Sequence, residues 1–94
     1  MRVVWLRSAL SDIDNIEHHI EQDDPPAARR MEQRIKDAVA LLEHHPHIGR
    51  PGRVPETREL IVSGTPYIVP YAVTGMEIVI LAVIHGARRW PESF

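Results

Sequence analysis

The chemistry-bearing side chains of this 94-residue chain are histidine, arginine and tyrosine. His85 closes a run of apolar residues and stands just before Gly86, Ala87 and the pair Arg88-Arg89. An imidazole there can act as general acid or base. The alternative is a strand-end histidine bonded to a backbone carbonyl. All the basic groups of residues 50–94 are arginines: Arg50, Arg53, Arg58, Arg88 and Arg89. A guanidinium fork suits phosphate or carboxylate recognition better than a lysine point charge does. Arg29, Arg30 and Arg34 read instead as a solvated face of a helix. Tyr67 and Tyr71 alternate onto one face of a strand, where core packing with the hydroxyls at the edge is favoured over base stacking.

Other sites find less support. His18-His19 and His44-His45-x-His47 are close in sequence, but adjacent imidazoles on a helix project about 100° apart, so solvation or capping explains them better than a metal does. The chain has no cysteine, hence no disulfide and no thiolate ligand. Gly49 and Gly52 match no phosphate-loop spacing, and no Ser/His/Asp set or paired-carboxylate motif is recognisable. Neither metal nor cofactor is expected.

The formal net charge is −2 and the pI about 6.3, which argues against non-specific nucleic-acid binding. The charge is uneven: residues 1–49 are net acidic and residues 50–94 net basic. No apolar run approaches a membrane span, and the start lacks the apolar core of a secretory signal. A single cytoplasmic domain over residues 1–94 is expected, with no membrane association.

The elements that must position these side chains follow from periodicity. Residues 2–6, with Val3, Val4 and Trp5, read as a strand. Ser8 is a candidate N-cap for a helix over about residues 9–22, whose apolar stripe is Ala9, Ile13, Ile16 and Ile20. Asp12, Asp14 and Glu17 load its first turns with negative charge. Asp24-Pro25 opens a second helix with the stripe Ala28, Met31, Ile35, Ala38 and Leu42, stopped by Pro46. The short join predicts a helical hairpin.

Residues 45–56, rich in Pro and Gly, read as a loop without regular structure. Strands follow over 57–62, 67–73 and 76–85, with turns at Ser63-Gly64 and Thr74-Gly75. Residues 76–85 are nearly all apolar, which predicts one continuous central strand covered on both faces. Pro70 removes a ladder donor and predicts a bulge or a short neighbouring strand. The tail from Gly86 to Phe94 reads as irregular. Val79, Leu81 and Val83 would then need cover from a partner or from the sheet's own curl. The order β-α-α-β-β-β specifies an α+β fold, a helical hairpin on a small, mostly antiparallel sheet.

Several segments in this order resemble the RelE/ParE toxin superfamily. They are Gly49-Arg50-Pro51, Thr57-Arg58-Glu59-Leu60, Pro66-Tyr67-Ile68-Val69-Pro70-Tyr71, and Ile78 to Ile84 leading into His85-Gly86-Ala87-Arg88. The first half fits as well, with an aromatic in a short strand and Ser8, Asp12 and Ile16 opening the first helix. The resemblance implies the toxin of a type II toxin–antitoxin module, neutralised by a cognate antitoxin whose C-terminal segment wraps it. RelE-like members cut mRNA on the ribosome; ParE-like members poison DNA gyrase. The single lysine, Lys36, lies on a helix, no tyrosine follows the last strand, and the His85-Gly86-Ala87-Arg88 ending looks ParE-like. The expectation is therefore a gyrase poison, with a ribosome-dependent endoribonuclease as the alternative. In the ribonuclease case His85 would be the general acid or base, and Arg58 and Arg88 would stabilise the phosphate. In either case Arg50, Arg53, Arg58, Tyr67, Tyr71, Arg88, Arg89 and Trp90 are the candidate partner-binding residues, and Trp90 in the tail is the candidate for contact with gyrase.

Overall fold

The computed structural model describes residues 1–94. The elements run β1 (Arg2–Trp5), α1 (Arg7–Glu21), α2 (Pro25–Ala40), a 3₁₀ turn (Leu41–Glu43), β2 (Arg50–Pro51), β3 (Arg58–Ile61), β4 (Tyr67–Val73), β5 (Glu77–Ile80) and β6 (Ile84–His85). The strands lie in the order β1-β5-β4-β3-β2, with β6 continuing along β4 beyond the end of β5. β1 runs parallel to β5, and every other pairing is antiparallel. The two helices cover one face of this sheet, as the α+β reading predicted.

The amphipathic helices explain the core. Ala9 and Ile13 of α1 meet Ile35, Val39 and Leu42, and all five are buried. Val39, one residue off the predicted stripe, is as buried as its neighbours on it. The sheet presents Leu60, Val69, Tyr71, Ile78 and Ile80 to the helices, with Val3 and Trp5 at the β1 margin. Asp24 caps α2 as expected: its Oδ1 accepts from the Ala27 N–H at 3.1 Å, with Pro25 at the first helical position. α2 itself ends at Ala40, and the 3₁₀ turn carries Leu42 into the core.

The start of α1 differs from expectation. The helix begins at Arg7, and Leu6 occupies the cap position without a side-chain cap bond. Ser8 is therefore inside the first turn, and its hydroxyl donates across to the Leu81 carbonyl at 2.9 Å. One turn later Asp12 Oδ2 accepts from the Val83 N–H at 2.9 Å. Asp12 thus joins α1 to the sheet, where the charge pattern alone suggested only a dipole effect.

Those two bonds answer a break in the sheet. Residues 76–85 do not form one continuous strand: β5 stops at Ile80, β6 resumes at Ile84, and 81–83 leave the ladder. Pro70 stands opposite. Its carbonyl accepts from the Leu81 N–H at 3.0 Å, so its nitrogen faces the same side and has no hydrogen to return. The Leu81 carbonyl takes the Ser8 hydroxyl, and the Val83 N–H takes Asp12. A buried backbone group without a partner is costly, so this segment stays in the interior only because α1 supplies both partners. Val83 consequently turns into the helix-side core, while Val79 and Leu81 remain half-buried.

The loop over 45–56 is irregular except for the two-residue β2, which pairs Arg50 with Glu59 and Pro51 with Arg58. Tyr71 organises it from below. The phenol donates to the Pro46 carbonyl and accepts from the Gly49 N–H, both at 2.9 Å. A side chain at residue 49 would place its Cβ 2.6 Å from the Tyr71 ring, so only glycine fits. No helix is long and apolar enough to cross a membrane.

Removing the carboxylate in Asp12→Ala leaves the Val83 N–H without its acceptor. We expect a loss of about 1–2 kcal/mol and a fall in Tm of roughly 5–10 °C for a domain of this size. Asp12→Asn, which keeps an acceptor oxygen, should recover most of it. Equal melting of wild type and Asp12→Ala would refute the role assigned to this bond.

Candidate functional site

A cleft of about 560 Å³ opens where the sheet is interrupted. Its floor is the segment from Leu81 to His85. One wall is α1, through Ser8, Asp12, Asn15 and His19, and the other is the tail, through Arg88, Arg89, Pro91 and Phe94. Ser8, Asp12, Asn15 and His19 recur at four, three and four residues, a polar stripe one residue behind the apolar stripe Ala9, Ile13, Ile16 and Ile20. The spacing was present in the sequence. Its meaning was not, because a polar helical stripe reads as a solvated face unless a sheet edge is known to lie beside it.

His85 and Arg88 share this cleft. His85 pairs with Tyr67 in the β4–β6 ladder, and the two rings meet edge to face with centroids 5.8 Å apart. Nδ1 of His85 accepts from the Ala87 N–H at 3.1 Å. A backbone N–H can only donate, so in the neutral ring the proton sits on Nε2, and His85 offers the cleft a donor. The imidazole is thus bonded to a backbone N–H, not to a carbonyl as the alternative sequence reading had it.

Arg58 lies elsewhere. It pairs with Tyr71 on the opposite flank of β4, four residues along from Tyr67. Strand rise and spacing put its Cα roughly 17 Å from that of His85. Its guanidinium donates to the Gly49 carbonyl at 2.8 Å and the His47 carbonyl at 3.3 Å. The trio His85, Arg58 and Arg88 is therefore not brought together, and Arg58 holds the loop. Tyr71 is fully buried and, with both hydroxyl bonds used, offers no docking surface. Burial pushes its phenol up from the ordinary value, against the Gly49 N–H and the Arg58 charge, which favour the ionised form.

Arg50 and Arg53 converge on Glu59, which is only 2% exposed. Arg50 Nε donates to Glu59 Oε1 at 3.0 Å, and Arg53 donates to Oε2 through its backbone N–H at 2.8 Å and its Nε at 3.1 Å. The Arg53 guanidinium also carries the Trp90 ring, 3.7 Å from carbon to centroid. A cation–π contact of this kind contributes about 0.5–1 kcal/mol at a partly exposed site. Trp90, predicted to stand free in the tail, is thus half-buried on the helix-free side of β3, with its Nε1–H buried and unpartnered.

Burial would by itself raise the Glu59 carboxyl. The bonds from the Arg53 backbone, the Arg53 side chain and Arg50 outweigh it and hold the group below its ordinary 4.5. A depressed carboxylate stabilises the fold above its unfolded value, and this contribution is lost as pH falls below about 4.5 towards the folded value. Wild-type stability should therefore decline with acidification in that window. Glu59→Gln should be less stable at neutral pH and show a shallower decline, as followed by chemical denaturation at several pH values. Parallel pH profiles would rule out this role for Glu59.

Comparison with known proteins agrees with this architecture. A family model described as the ParE toxin of the type II toxin–antitoxin system parDE matches residues 3–90. Y4kP, a candidate toxin of Sinorhizobium fredii (strain NBRC 101917 / NGR234), is 44% identical over 91 residues, covering 97% of this chain and 94% of its own. Toxin RelE2 of Caulobacter vibrioides (strain ATCC 19089 / CIP 103742 / CB 15) is 38% identical over 87 residues, covering 93% and 97%. A solved structure of the chromosomal ParDE TA system from P. aeruginosa superposes with a TM-score of 0.84 at 33% identity, covering 90% of this chain and 95% of the matched one. By sequence along nearly its whole length, and by fold, this chain belongs to the ParE toxin family of type II toxin–antitoxin systems.

Proposed function

We propose that this toxin is neutralised by a cognate antitoxin and, when free, arrests growth in the cytoplasm by poisoning DNA gyrase. The observation that carries the reading is that the side chains a nuclease would need, His85, Arg58 and Arg88, are not brought together. Arg58 Nη1 donates to the His47 and Gly49 carbonyls, and His85 Nδ1 is engaged by a backbone N–H. With Nδ1 already accepting, the neutral His85 ring has no free acceptor to serve as a general base, and Arg58 lies on the far flank of β4 from the cleft. What remains is a surface for binding a macromolecule.

The antitoxin follows from the cleft. Its rim gathers His19, His85, Arg88 and Arg89, while its one carboxylate, Asp12, is already bonded to Val83. An acidic segment with apolar side chains, the C-terminal part of an antitoxin, complements that surface. The similar P. aeruginosa structure, a chromosomal ParDE TA system, supports pairing with an antitoxin.

One observation favours a second reading, a ribosome-dependent endoribonuclease. His85, Tyr67 and Arg88 share the cleft, and a relative of similar length carries the name RelE2.

Inducible expression without antitoxin separates the two. Wild type and His85→Ala should both arrest growth with DNA breaks and an SOS response, and purified gyrase should be inhibited by both. Trp90→Ala should need about tenfold more protein for the same effect, a loss of ~1.4 kcal/mol in binding. Codon-positioned mRNA cuts that vanish in His85→Ala would overturn the gyrase reading and establish the ribonuclease.

A further inference from the structure

The tail that forms one wall of the cleft is attached at a single point. The last backbone hydrogen bond of the chain is from the Arg88 N–H to the His85 carbonyl at 3.0 Å. Residues 89–94 make no hydrogen bond of any kind to the rest of the protein. Trp90 packs on the Arg53 guanidinium. Arg53 is not a free surface side chain that happens to lie there. Its backbone N–H and its Nε both end on the buried Glu59 carboxylate, so the platform beneath the indole is rigid.

Opposed to that contact is the indole N–H. Trp90 Nε1 is the buried side-chain nitrogen or oxygen that lacks a hydrogen-bond partner. Tryptophan is a donor only, and a buried donor without an acceptor is penalised until it reaches water or a partner's carbonyl or carboxylate. The docked tail therefore gains a stacked cation and loses a donor's hydration. Two opposed terms on one residue, in a segment without hydrogen bonds to the rest of the protein, make an attachment that opens readily.

We propose that the Trp90–Arg53–Glu59 stack is an autoinhibitory latch: it holds the tail closed and hides Trp90 in the free toxin, and engagement of the target releases it. Release exposes the indole, frees its N–H for an acceptor on the partner, and takes Arg88 and Arg89 off the cleft wall. The latch rests on the tail being the target-binding segment, so its test needs a readout that does not require the target to be gyrase.

Arg53→Met is the informative variant. It keeps an unbranched apolar stem and the backbone N–H to Glu59, which also retains Arg50, but removes the cation from beneath the ring. Two assays on the full chain read the latch directly. Trypsin cuts after Arg88 and Arg89, with products identified by mass, and acrylamide quenches Trp90 in a Trp5→Phe background. With a latch, Arg53→Met raises the initial tail-cutting rate about tenfold, as a larger open population requires, and increases quenching, both well beyond the change in Arg50→Met, which also loses an ion pair to Glu59 but keeps the cation beneath the ring. Tail cutting and quenching equal in the two proteins would overturn the latch, whatever the target. Growth arrest at graded induction then reads the inhibitory role without assuming a target, and Arg53→Met should arrest growth at a lower induced level than wild type. An opened tail with no such gain in potency would overturn autoinhibition. Failure of both proteins to inhibit purified gyrase, with the trypsin and growth differences intact, would overturn only the gyrase reading.

Discussion

A proline in the middle of the central strand sets the constraint on which the rest of the structure depends. Pro70 can accept one ladder bond from Leu81 but cannot donate the matching one. The neighbouring strand therefore divides into β5 and β6, and the intervening residues must find other partners. Ser8 and Asp12, one helical turn apart on α1, are those partners. Docking of α1, the turn of Val83 into the core and the opening of a cleft at the sheet's margin are one event, driven by the need to satisfy backbone groups away from water.

A second fixed point lies on the other face of the sheet. Glu59 is the one charged side chain buried in the protein, and it is held by donors from both Arg50 and Arg53. Arginines that in sequence suggested contacts to a partner also make bonds within the fold. Arg50 and Arg53 neutralise Glu59, and Arg58 ties down the loop above Tyr71. The arginines left exposed at the cleft, Arg88 and Arg89, then stand out against a chain that is acidic overall. This redistribution matters because long-range electrostatic steering depends on unpaired charge.

The two fixed points meet through the tail. It leaves β6 at His85, borders the cleft with Arg88 and Arg89, and reaches Arg53 with Trp90. Beyond Arg88 it has no backbone bonds, and segments of that kind lie at the low end of the stability range within a domain.

The sequence by itself determined the element order, the helical stripes, the Asp24-Pro25 start of α2, the hairpin turns and the α+β class. These are local properties, written in periodicities of two and about 3.6 and in residues with restricted backbone angles. It also placed family membership within reach through short segments in a fixed order. The break at 81–83 was half legible, since Pro70 announced an irregularity, but only the pairing register says which neighbouring residues lose their donor. The start of α1 was not legible, because Ser8 is a good cap by type and its true acceptor is 73 residues away. The candidate site was less legible still. Whether an arginine faces a partner or a buried glutamate, and whether a tryptophan near the end of the chain stands free or rests on a cation, depends on contacts between distant residues. Tertiary structure alone decided those, because charge pairing and burial are set by which surfaces are brought together and not by residue type.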